Sequence, residues 1–453
     1  MKMKAWAVAA AALFYSHLAM SQDHRKCGND VALERVMAEH PELRNIPEQQ
    51  SAKRIEWLTN TAKQGAQKPT ATVTVPVIFH IVLNPTQLSS IGGATGVALR
   101  VDSQMAVLNR DFNGMALDQA QIPGVFKPLY GNAQIQFGLA HTAPDGSATP
   151  GYEIITTTQS GFSVQTGSTG STYFASDAKY ASSGGANGWD GFKYLNIWII
   201  NFSESGLLGV CPPISYYIQG IVPLNETGAA INYRTFGKTG PGQLVFLNGY
   251  NGGRTLVHEL GHYFELNHIW GNTQIGAGNC NDDDGIADTP RQQDANDNCP
   301  TFPKANCTNT TGGEMFMNYM DYVYDACYKM FTTQQAAVMN ADVATPTGYA
   351  YPLTQNPHLL QYPTSVPYVK NENALIIFPN PTTNGQFQIS ITDKDDLEKI
   401  VVTNVLGQQV KNIVVADKQL KNHNIDLSGV TKGVYTVQCI FAGGQLTKKI
   451  ILQ

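Results

Sequence analysis

The stretch HELGHYFELNH, residues 258–268, carries three histidines and a glutamate at spacings that suit metal-assisted hydrolysis. His258 and His262 are four residues apart, so on a helix both imidazoles face the same side and can bind one ion. Glu259 follows His258 directly and can hold a water molecule beside that ion, which makes it the expected general base. The pattern predicts a catalytic zinc site in which Glu259 activates a zinc-bound water.

His268 is the expected third zinc ligand. It lies six residues past His262, which at about 100° per residue is the wrong side of a continuous helix. We therefore expect the helix to end between the two histidines. The extended zincin pattern HExxHxxGxxH has glycine where this chain has Glu265. Either Glu265 makes the turn at a cost of about 1 kcal/mol or more, or Asn267 makes it instead.

Two further stretches follow this motif. CNDDDGIADTP, residues 280–290, places four aspartates around a glycine, and so many hard oxygens favour calcium. The spacing is not that of an EF-hand, and a solvated acidic loop is the alternative. MNYMDYVYDAC, residues 317–327, supplies a methionine for a turn beneath the metal.

Together these motifs resemble the pappalysin family of metzincin metallopeptidases, especially its bacterial ulilysin-like members. HELGH with its third histidine, HIWG at 268–271, CNDDDGIADTP and NYMDY at 318–322 carry the resemblance, which covers about residues 73–343. It implies an α+β, zincin-like catalytic domain with a mixed twisted sheet, an active-site helix, a zinc cleft and a Met-turn.

The resemblance also implies roles for single residues. Its expected site comprises zinc ligands His258, His262 and His268, general base and acid Glu259, Met-turn residue Met320, oxyanion-stabilising Tyr322, calcium ligands Asp284 and Thr289, and substrate-pairing rim residues Gly206, Leu207, Leu208 and Gly209. Asp325 matches the acid at the base of the S1′ pocket, which predicts cleavage before Arg or Lys. The alternative is that Asp325 only caps a loop.

Seven cysteines fit an oxidising compartment. The resemblance implies the disulfides Cys280–Cys307 and Cys299–Cys327; a structural zinc on these four thiolates is the alternative, which the lack of a CxxC pair disfavours. Cys27, in RKCGND, could occupy the water position on zinc and keep the enzyme latent. Asp30 could block in the same way, and an unpaired leftover cysteine is the plain alternative. Cys211 and Cys439 receive no role.

The chain divides into five predicted parts. Residues 1–21 read as a cleaved signal peptide, 22–68 as a prosegment (below, the N-terminal segment), 69–345 as the catalytic domain, 346–373 as a linker and 374–453 as a small all-β sandwich. FPNPTTNG, NVLGQQV, IDLSGVTKGVYTV and the terminal KKIILQ resemble the type A sorting domain of type IX secretion. This implies that the type IX machinery is a partner and that the protein is secreted or attached at the cell surface.

Several core elements are also predicted from the residues. Val73–Leu83 and Tyr194–Ile200 are expected to form buried strands, Leu244–Leu247 a weaker strand, and Val101–Phe112 a helix.

Composition excludes other classes of function. With 453 residues, a net charge of −5 and a hydrophobic fraction of 42%, the chain is neither disordered nor a nucleic-acid binder. After signal cleavage, no segment is long and apolar enough to span a membrane. The sequence thus predicts a secreted, latent zinc metalloendopeptidase that acts on proteins or peptides and has calcium support. A non-catalytic zincin-like surface adhesin is the alternative.

Overall fold

The computed structural model describes residues 26–43, 45–63, 72–116, 118–166, 173–240, 245–271, 280–304, 307, 312–362, 375–392, 397–404, 409–415, 417, 420–441 and 444–453. The predicted signal peptide, residues 1–21, lies outside the described residues. Among the helices of these ranges, none has the length and apolarity that crossing a bilayer requires.

The α-helices of the described ranges are α1 (Asn29–Glu39), α2 (Ile46–Lys63), α3 (Pro85–Ser90), α4 (Gly93–Phe112), α5 (Ile214–Ile218), α6 (Arg254–Tyr263) and α7 (Thr333–Ala344). The strands are β1 (Val73–Leu83), β2 (Ile135–Leu139), β3 (Tyr152–Thr156), β4 (Leu195–Ile200), β5 (Gly209–Val210), β6 (Gly228–Asn232), β7 (Leu375–Phe378), β8 (Gln386–Ile391), β9 (Leu397–Asn404), β10 (Gln409–Val414), β11 (Asn422–Asp426), β12 (Gly433–Phe441) and β13 (Gly444–Leu452).

A mixed six-stranded sheet forms the base of the catalytic domain. Its order is β2-β1-β4-β6-β5, with β3 also paired to β1. All pairs are parallel except β5 with β6, which is antiparallel at the edge. This mixed α/β architecture confirms the predicted fold class. The outer side of the short edge strand β5 is paired with residues 26–28 of the N-terminal segment.

The central elements form where the residue pattern predicts them. Strand β1 is rich in β-branched residues and is buried along most of its length. Helix α4 carries the predicted apolar stripe through Val101, Leu108 and Phe112 but begins earlier, at Gly93. It packs on the active-site helix α6, so the sheet, α4 and α6 form one layered core.

The weak strand predicted at Leu244–Leu247 is wrong for its described part, residues 245–247. Val245 has φ 71°, a left-handed conformation that no strand residue adopts. The Tyr250 amide donates to the Leu247 carbonyl at 3.0 Å, which closes a turn. The apolar composition of this stretch favours a strand, but the turn determines its conformation.

The N-terminal segment packs on the catalytic domain. Ala32 and Val36 of α1 and Trp57 of α2 are buried in the same hydrophobic core as the catalytic sheet. Helix α2 also packs on α7. The described part of this segment is therefore integrated with the domain that follows it.

The first part of the predicted linker is also packed. Residues Tyr351–Gln355 and Pro357–Leu360 form 3₁₀ turns, and Leu353 and Leu359 are buried. The His141 amide donates to the Leu359 carbonyl at 2.7 Å. Residues 351–360 thus pack against strand β1 of the catalytic sheet. The composition of this segment did not predict the burial of its two leucines.

The C-terminal part is a two-sheet, all-β unit. One sheet has the order β10-β9-β12-β13 and the other β11-β8-β7. Inward residues such as Ile389, Val402 and Val437 alternate with exposed ones and share one core. The predicted all-β sandwich is confirmed.

Candidate active site

Helix α6 presents the metal-binding histidines. It begins after Gly253, whose φ of 73° favours glycine, and it ends at Tyr263, before His268 as predicted. Gly261 lies against Met320, because a Cβ added at Gly261 would come within 2.4 Å of the methionine sulfur. The Met320 carbonyl also accepts the Ile269 amide at 3.2 Å. Met320, the predicted Met-turn residue, therefore packs against α6 next to His262.

The three histidine side chains converge through their Nε2 atoms. The Nε2 atom of His262 lies 3.2 Å from that of His258 and 3.0 Å from that of His268. Two ligands of a tetrahedral zinc ion, each at about 2.0–2.1 Å, would be roughly 3.3 Å apart. Burial, together with neighbouring His268, lowers the pKa of His258 to about 3. Neutral imidazoles with facing lone pairs fit a zinc ion.

Each Nδ1 atom of this cluster faces an acceptor. His258 donates to the Tyr319 carbonyl at 2.7 Å and His262 to the Leu266 carbonyl at 2.8 Å. His268 Nδ1 lies 3.2 Å from Oδ1 of Asp30, in the N-terminal segment. A proton held on Nδ1 leaves the Nε2 lone pair free for the metal.

Cys27 completes a group of four candidate metal donors. Its sulfur and the three histidine nitrogens all lie within 4.8 Å of one another, and all four residues are buried. Burial, and secondarily Glu259, raise the pKa of the Cys27 thiol; a bound zinc ion would act in the opposite direction. The donor set is that of a closed Cys-His₃ zinc site.

Glu259 lies beside the metal donors but is not one of them. Its Oε2 lies 3.5 Å from the Cys27 sulfur, and burial raises its pKa well above the usual range. Gly209 makes room for this carboxylate, since a Cβ at Gly209 would lie 2.7 Å from Glu259 Oε1. The thiol therefore occupies the space next to the expected general base.

The N-terminal segment pairs with the rim predicted for substrate. The Leu208 amide donates to the Lys26 carbonyl at 2.8 Å, and the Gly28 amide donates to the Gly209 carbonyl at 2.8 Å. Cys27 forms a parallel bridge with Gly209. Asn29 extends the pairing, because its side-chain amide bonds both the amide and the carbonyl of Cys211 at 2.8 and 2.7 Å.

Glu265 itself makes the turn between the second and third histidines. Its φ is 70° and Asn267 is not in a left-handed conformation, so the first of the two predicted alternatives is found. The buried carboxylate accepts the Ser215 amide and hydroxyl at 2.9 Å each and the Gln50 amide at 2.9 Å. These bonds offset strain of about 1–2 kcal/mol.

Tyr322 lies over the histidine cluster. Its ring is 4.9 Å from the His268 ring and 4.8 Å from that of Trp270. Its hydroxyl is buried without a hydrogen-bond partner among the described residues, so a donor is available at the site. Trp270, to which the sequence assigned no role, stacks on His268 at 4.4 Å; its place in HIWG was the available signal.

The side chain of Asp325 contacts the N-terminus of helix α6. Its Oδ2 accepts the Gly252 amide at 2.6 Å, and burial raises its pKa to about 6. Oδ1 is buried with no partner among the described residues. Asp325 lines a cavity of about 280 Å³ with Arg254 and is absent from the lining of the cavity beside His258 and Glu259.

A different carboxylate lies near the active site, and the sequence did not indicate it. Lys26 of the N-terminal segment lines the cavity beside His258 and Glu259. Its ammonium donates to Asp297 Oδ1 at 2.6 Å and to the Tyr322 carbonyl at 2.5 Å. It also lies 5.5 Å from the ring centre of Tyr250 and 5.8 Å from that of Tyr324. Together these groups, called here the Lys26 subsite, hold the Lys26 ammonium.

The acidic loop does not gather all four aspartates. Asp288 binds Thr332 and the Gln334 amide, and Asp283 pairs with Arg291. Asp284 Oδ1 accepts the Thr289 hydroxyl at 2.7 Å, while its Oδ2 is buried without a hydrogen-bond partner among the described residues. Burial raises the pKa of Asp284 to about 8. In the described part of the chain, Asp284 and Thr289 thus come together at a candidate cation position.

Two disulfides brace the region beyond α6. Cys280 is bonded to Cys307 and Cys299 to Cys327, the same pairs that the family resemblance implies. Cys211 and Cys439 are buried free thiols. The four-thiolate zinc alternative is excluded because all four sulfurs are in disulfides.

The fold and the histidine cluster define a zinc metallopeptidase of the metzincin class. Comparison with known proteins agrees. Residues 180–344 match the Peptidase M43 family, described as pregnancy-associated plasma protein-A, and residues 376–453 match a secretion system C-terminal sorting domain. An extracellular metalloprotease of Colletotrichum graminicola is 29% identical over 59% of this chain and 75% of its own length. Other fungal relatives are matched over about half their length, 48% for that of Sordaria macrospora.

Solved structures match a larger share of the chain. A promirolysin mutant of Tannerella forsythia is 35% identical, with a TM-score of 0.59 over 73% of this chain and 97% of that one. Mature mirolysin of the same organism, with a cleaved peptide, is 37% identical, with a TM-score of 0.57 over 65% of this chain and 100% of that one. The chain belongs to the pappalysin family of metallopeptidases. It is a metalloprotease with a type IX sorting domain that directs it to the cell surface or beyond.

Proposed function

We propose that the protein is a latent zinc endopeptidase in which His258, His262 and His268 hold the metal and Glu259 is the general base and acid. The observation that carries this is the convergence of three Nε2 atoms with Glu259 beside them. A zinc ion bound there would polarise the peptide carbonyl and lower the pKa of a water molecule. The adhesin alternative has no support in a site that keeps every catalytic group.

The chain's own residues handle the protons and the developing charge. Glu259 accepts a proton from the attacking water and delivers it to the leaving amine. The unpartnered Tyr322 hydroxyl donates to the oxyanion. The rim Gly206–Gly209 pairs with extended substrate through its main chain, as Leu208 and Gly209 pair with Lys26 and Gly28 in this structure.

Latency follows from the occupation of these same groups. The Cys27 sulfur lies among the metal donors and against Glu259, so it excludes water from the place where the base must act. The N-terminal segment also covers the rim. We propose that its removal, between residues 68 and 69 by the predicted boundary, exposes the cleft.

We propose that the enzyme prefers Arg or Lys at P1′. Lys26 supports a basic preference, because its ammonium is seated close to Glu259 by Asp297 and the Tyr322 carbonyl. The sequence assigns this specificity to Asp325, whose Oδ1 is buried and unpaired among the described residues. Two carboxylates are thus candidates, and they can be separated experimentally.

The test is a peptide library incubated with the processed protein, with cut sites read by mass spectrometry. We expect cuts before Arg or Lys, and we expect Asp325→Asn to reduce that preference about tenfold, the effect of losing one charged hydrogen bond. Because the pKa of Asp325 is about 6, its carboxyl becomes neutral as the pH falls through 6, and the preference should weaken there.

Asp297→Asn is the matched variant. If it alone relaxes the preference, the specificity belongs to the Lys26 subsite and the assignment to Asp325 is wrong. Cuts with no preference for basic residues in the unmodified enzyme would refute the P1′ proposal itself.

We propose that Asp284 and Thr289 bind calcium. The buried, unpartnered Oδ2 of Asp284 supports this, since a carboxylate oxygen removed from water needs a cation or a donor. A rise in Tm when calcium is added back to chelator-stripped, processed protein tests this proposal.

We propose the type IX secretion machinery as the partner of residues 374–453. The match of residues 376–453 to the sorting-domain family supports this. Recovery outside the cell of a chain that ends at residue 373 would contradict it.

A further inference from the structure

Two of the three zinc histidines receive their Nδ1 acceptors from the catalytic domain itself. His258 uses the Tyr319 carbonyl and His262 uses the Leu266 carbonyl. Both carbonyls belong to residues on the C-terminal side of the predicted cleavage site, so removal of the N-terminal segment does not remove them. These bonds hold each ring with its Nε2 lone pair toward the metal.

The third histidine differs. In the part of the chain that the structure describes, the acceptor facing His268 Nδ1 is the Asp30 carboxylate at 3.2 Å. Asp30 lies in the first turn of α1, three residues after Cys27. Removal of the N-terminal segment therefore takes away a metal-facing thiol and a supporting carboxylate together.

Asp30 contacts His268 on the side of the ring that faces away from the metal donors. It is not among the four donors that come within 4.8 Å of one another, which argues against the blocking role considered for it above. Its Oδ1 contacts the ring nitrogen turned away from the cluster, since His268 Nε2 is the atom 3.0 Å from His262. A carboxylate in that position fixes the tautomer and increases the basicity of the ligand.

We propose that Asp30 is a positioning residue for His268, so that the latent protein holds zinc more tightly because of it. The inference rests on the proposed zinc site. The N-terminal segment would then serve the metal twice, by supplying Cys27 and by orienting the third histidine. The latent form therefore has the higher zinc affinity. Activation lowers that affinity and opens one coordination position on the metal.

The test measures zinc affinity by competition with a chelating indicator. The measurement uses full-length protein that carries Glu259→Gln. This substitution prevents autoprocessing, so the N-terminal segment is not lost during the measurement. In this background we expect Asp30→Ala to weaken zinc binding about 10–100-fold, the usual effect of removing such a partner. Asp30→Asn should lose less, because its amide oxygen can still accept from Nδ1.

Glu34→Gln is the matched control. Glu34 is exposed on the same helix, one turn along, and its substitution should leave zinc affinity unchanged. Cobalt(II)-loaded samples report whether Cys27 stays in place, through the thiolate-to-metal charge-transfer band. We expect this band in every variant.

Unchanged zinc affinity in Asp30→Ala would overturn the inference. The inference would also be overturned if Asp30→Ala lost both its zinc affinity and its thiolate-to-metal band. In that case Asp30 would only keep helix α1 docked on the catalytic domain. Failure of the proposed function looks different. In that case the unmodified latent protein would bind no zinc and the processed protein would cleave no peptide.

Discussion

Glu259→Gln is expected to lower kcat/KM of the processed enzyme about 10²–10⁴-fold, the range that general acid–base catalysis contributes. Glutamine keeps the shape of the side chain and the hydrogen bond to water, but it cannot accept the proton. Glu259 is not one of the converging donors, so zinc content should remain that of the unmodified protein. Initial rates on one peptide, with zinc measured in the same samples, check both parts.

Glu153→Gln is a suitable control because Glu153 is half-exposed on β3 and pairs with His80, outside the metal site. It should keep nearly full activity. If Glu259→Gln retained more than a tenth of the original kcat/KM while binding zinc, another group would have to be the base. The assignment of Glu259 would then be wrong.

Cys27→Ala should shorten the lag before autoactivation of the full-length protein roughly tenfold or more. A metal–thiolate contact worth only about 1.4 kcal/mol would already give this factor. The variant opens the space beside Glu259, while Lys26, Gly28 and Asn29 still hold the segment on the rim. Appearance of the processed form over time, with activity in the same samples, measures the effect.

Cys439→Ala is the control, because it also removes a buried free thiol, but one in the C-terminal sandwich. It should leave the lag unchanged. An unchanged lag in Cys27→Ala would mean that the contacts on the rim alone maintain latency. Cys27 would then be a bystander despite its place among the metal donors.

Local patterns predicted the parts of the site that lie close together in the sequence. The spacing of His258 and His262 specifies one helix face, and helical geometry required α6 to end before His268. The sequence also limited the turn to Glu265 or Asn267. It could not decide between them, because Ser215 and Gln50 stabilise Glu265 from distant parts of the chain.

Long-range contacts account for what the sequence missed. Lys26 forms an ion pair with Asp297, which is 271 residues away in the sequence. The local sequence around either residue does not predict this pair. From the sequence, Asp30 is predicted only as a possible blocking group, because whether its carboxylate faces His268 Nδ1 or the metal depends on three-dimensional placement. The contact between Asp325 and the N-terminus of α6 could not be predicted either, because the local sequence NYMDYVYD does not indicate it.

Fold prediction followed the same division. Strand β1 and the sandwich strands have strong β-branched or alternating patterns and form as expected. The predicted strand at 244–247 and the early part of the predicted linker had weak local signals. In those segments a left-handed Val245 and the burial of Leu353 and Leu359 decide the conformation.

The most direct test of the central claim is metal add-back to processed protein that has been stripped by a chelator. We expect no peptidase activity without metal, and recovery of activity that rises linearly up to one zinc per chain. Calcium alone should raise Tm through Asp284 and Thr289 without restoring activity. Full activity in the metal-free protein, or recovery with calcium alone, would contradict a zinc centre at His258, His262 and His268.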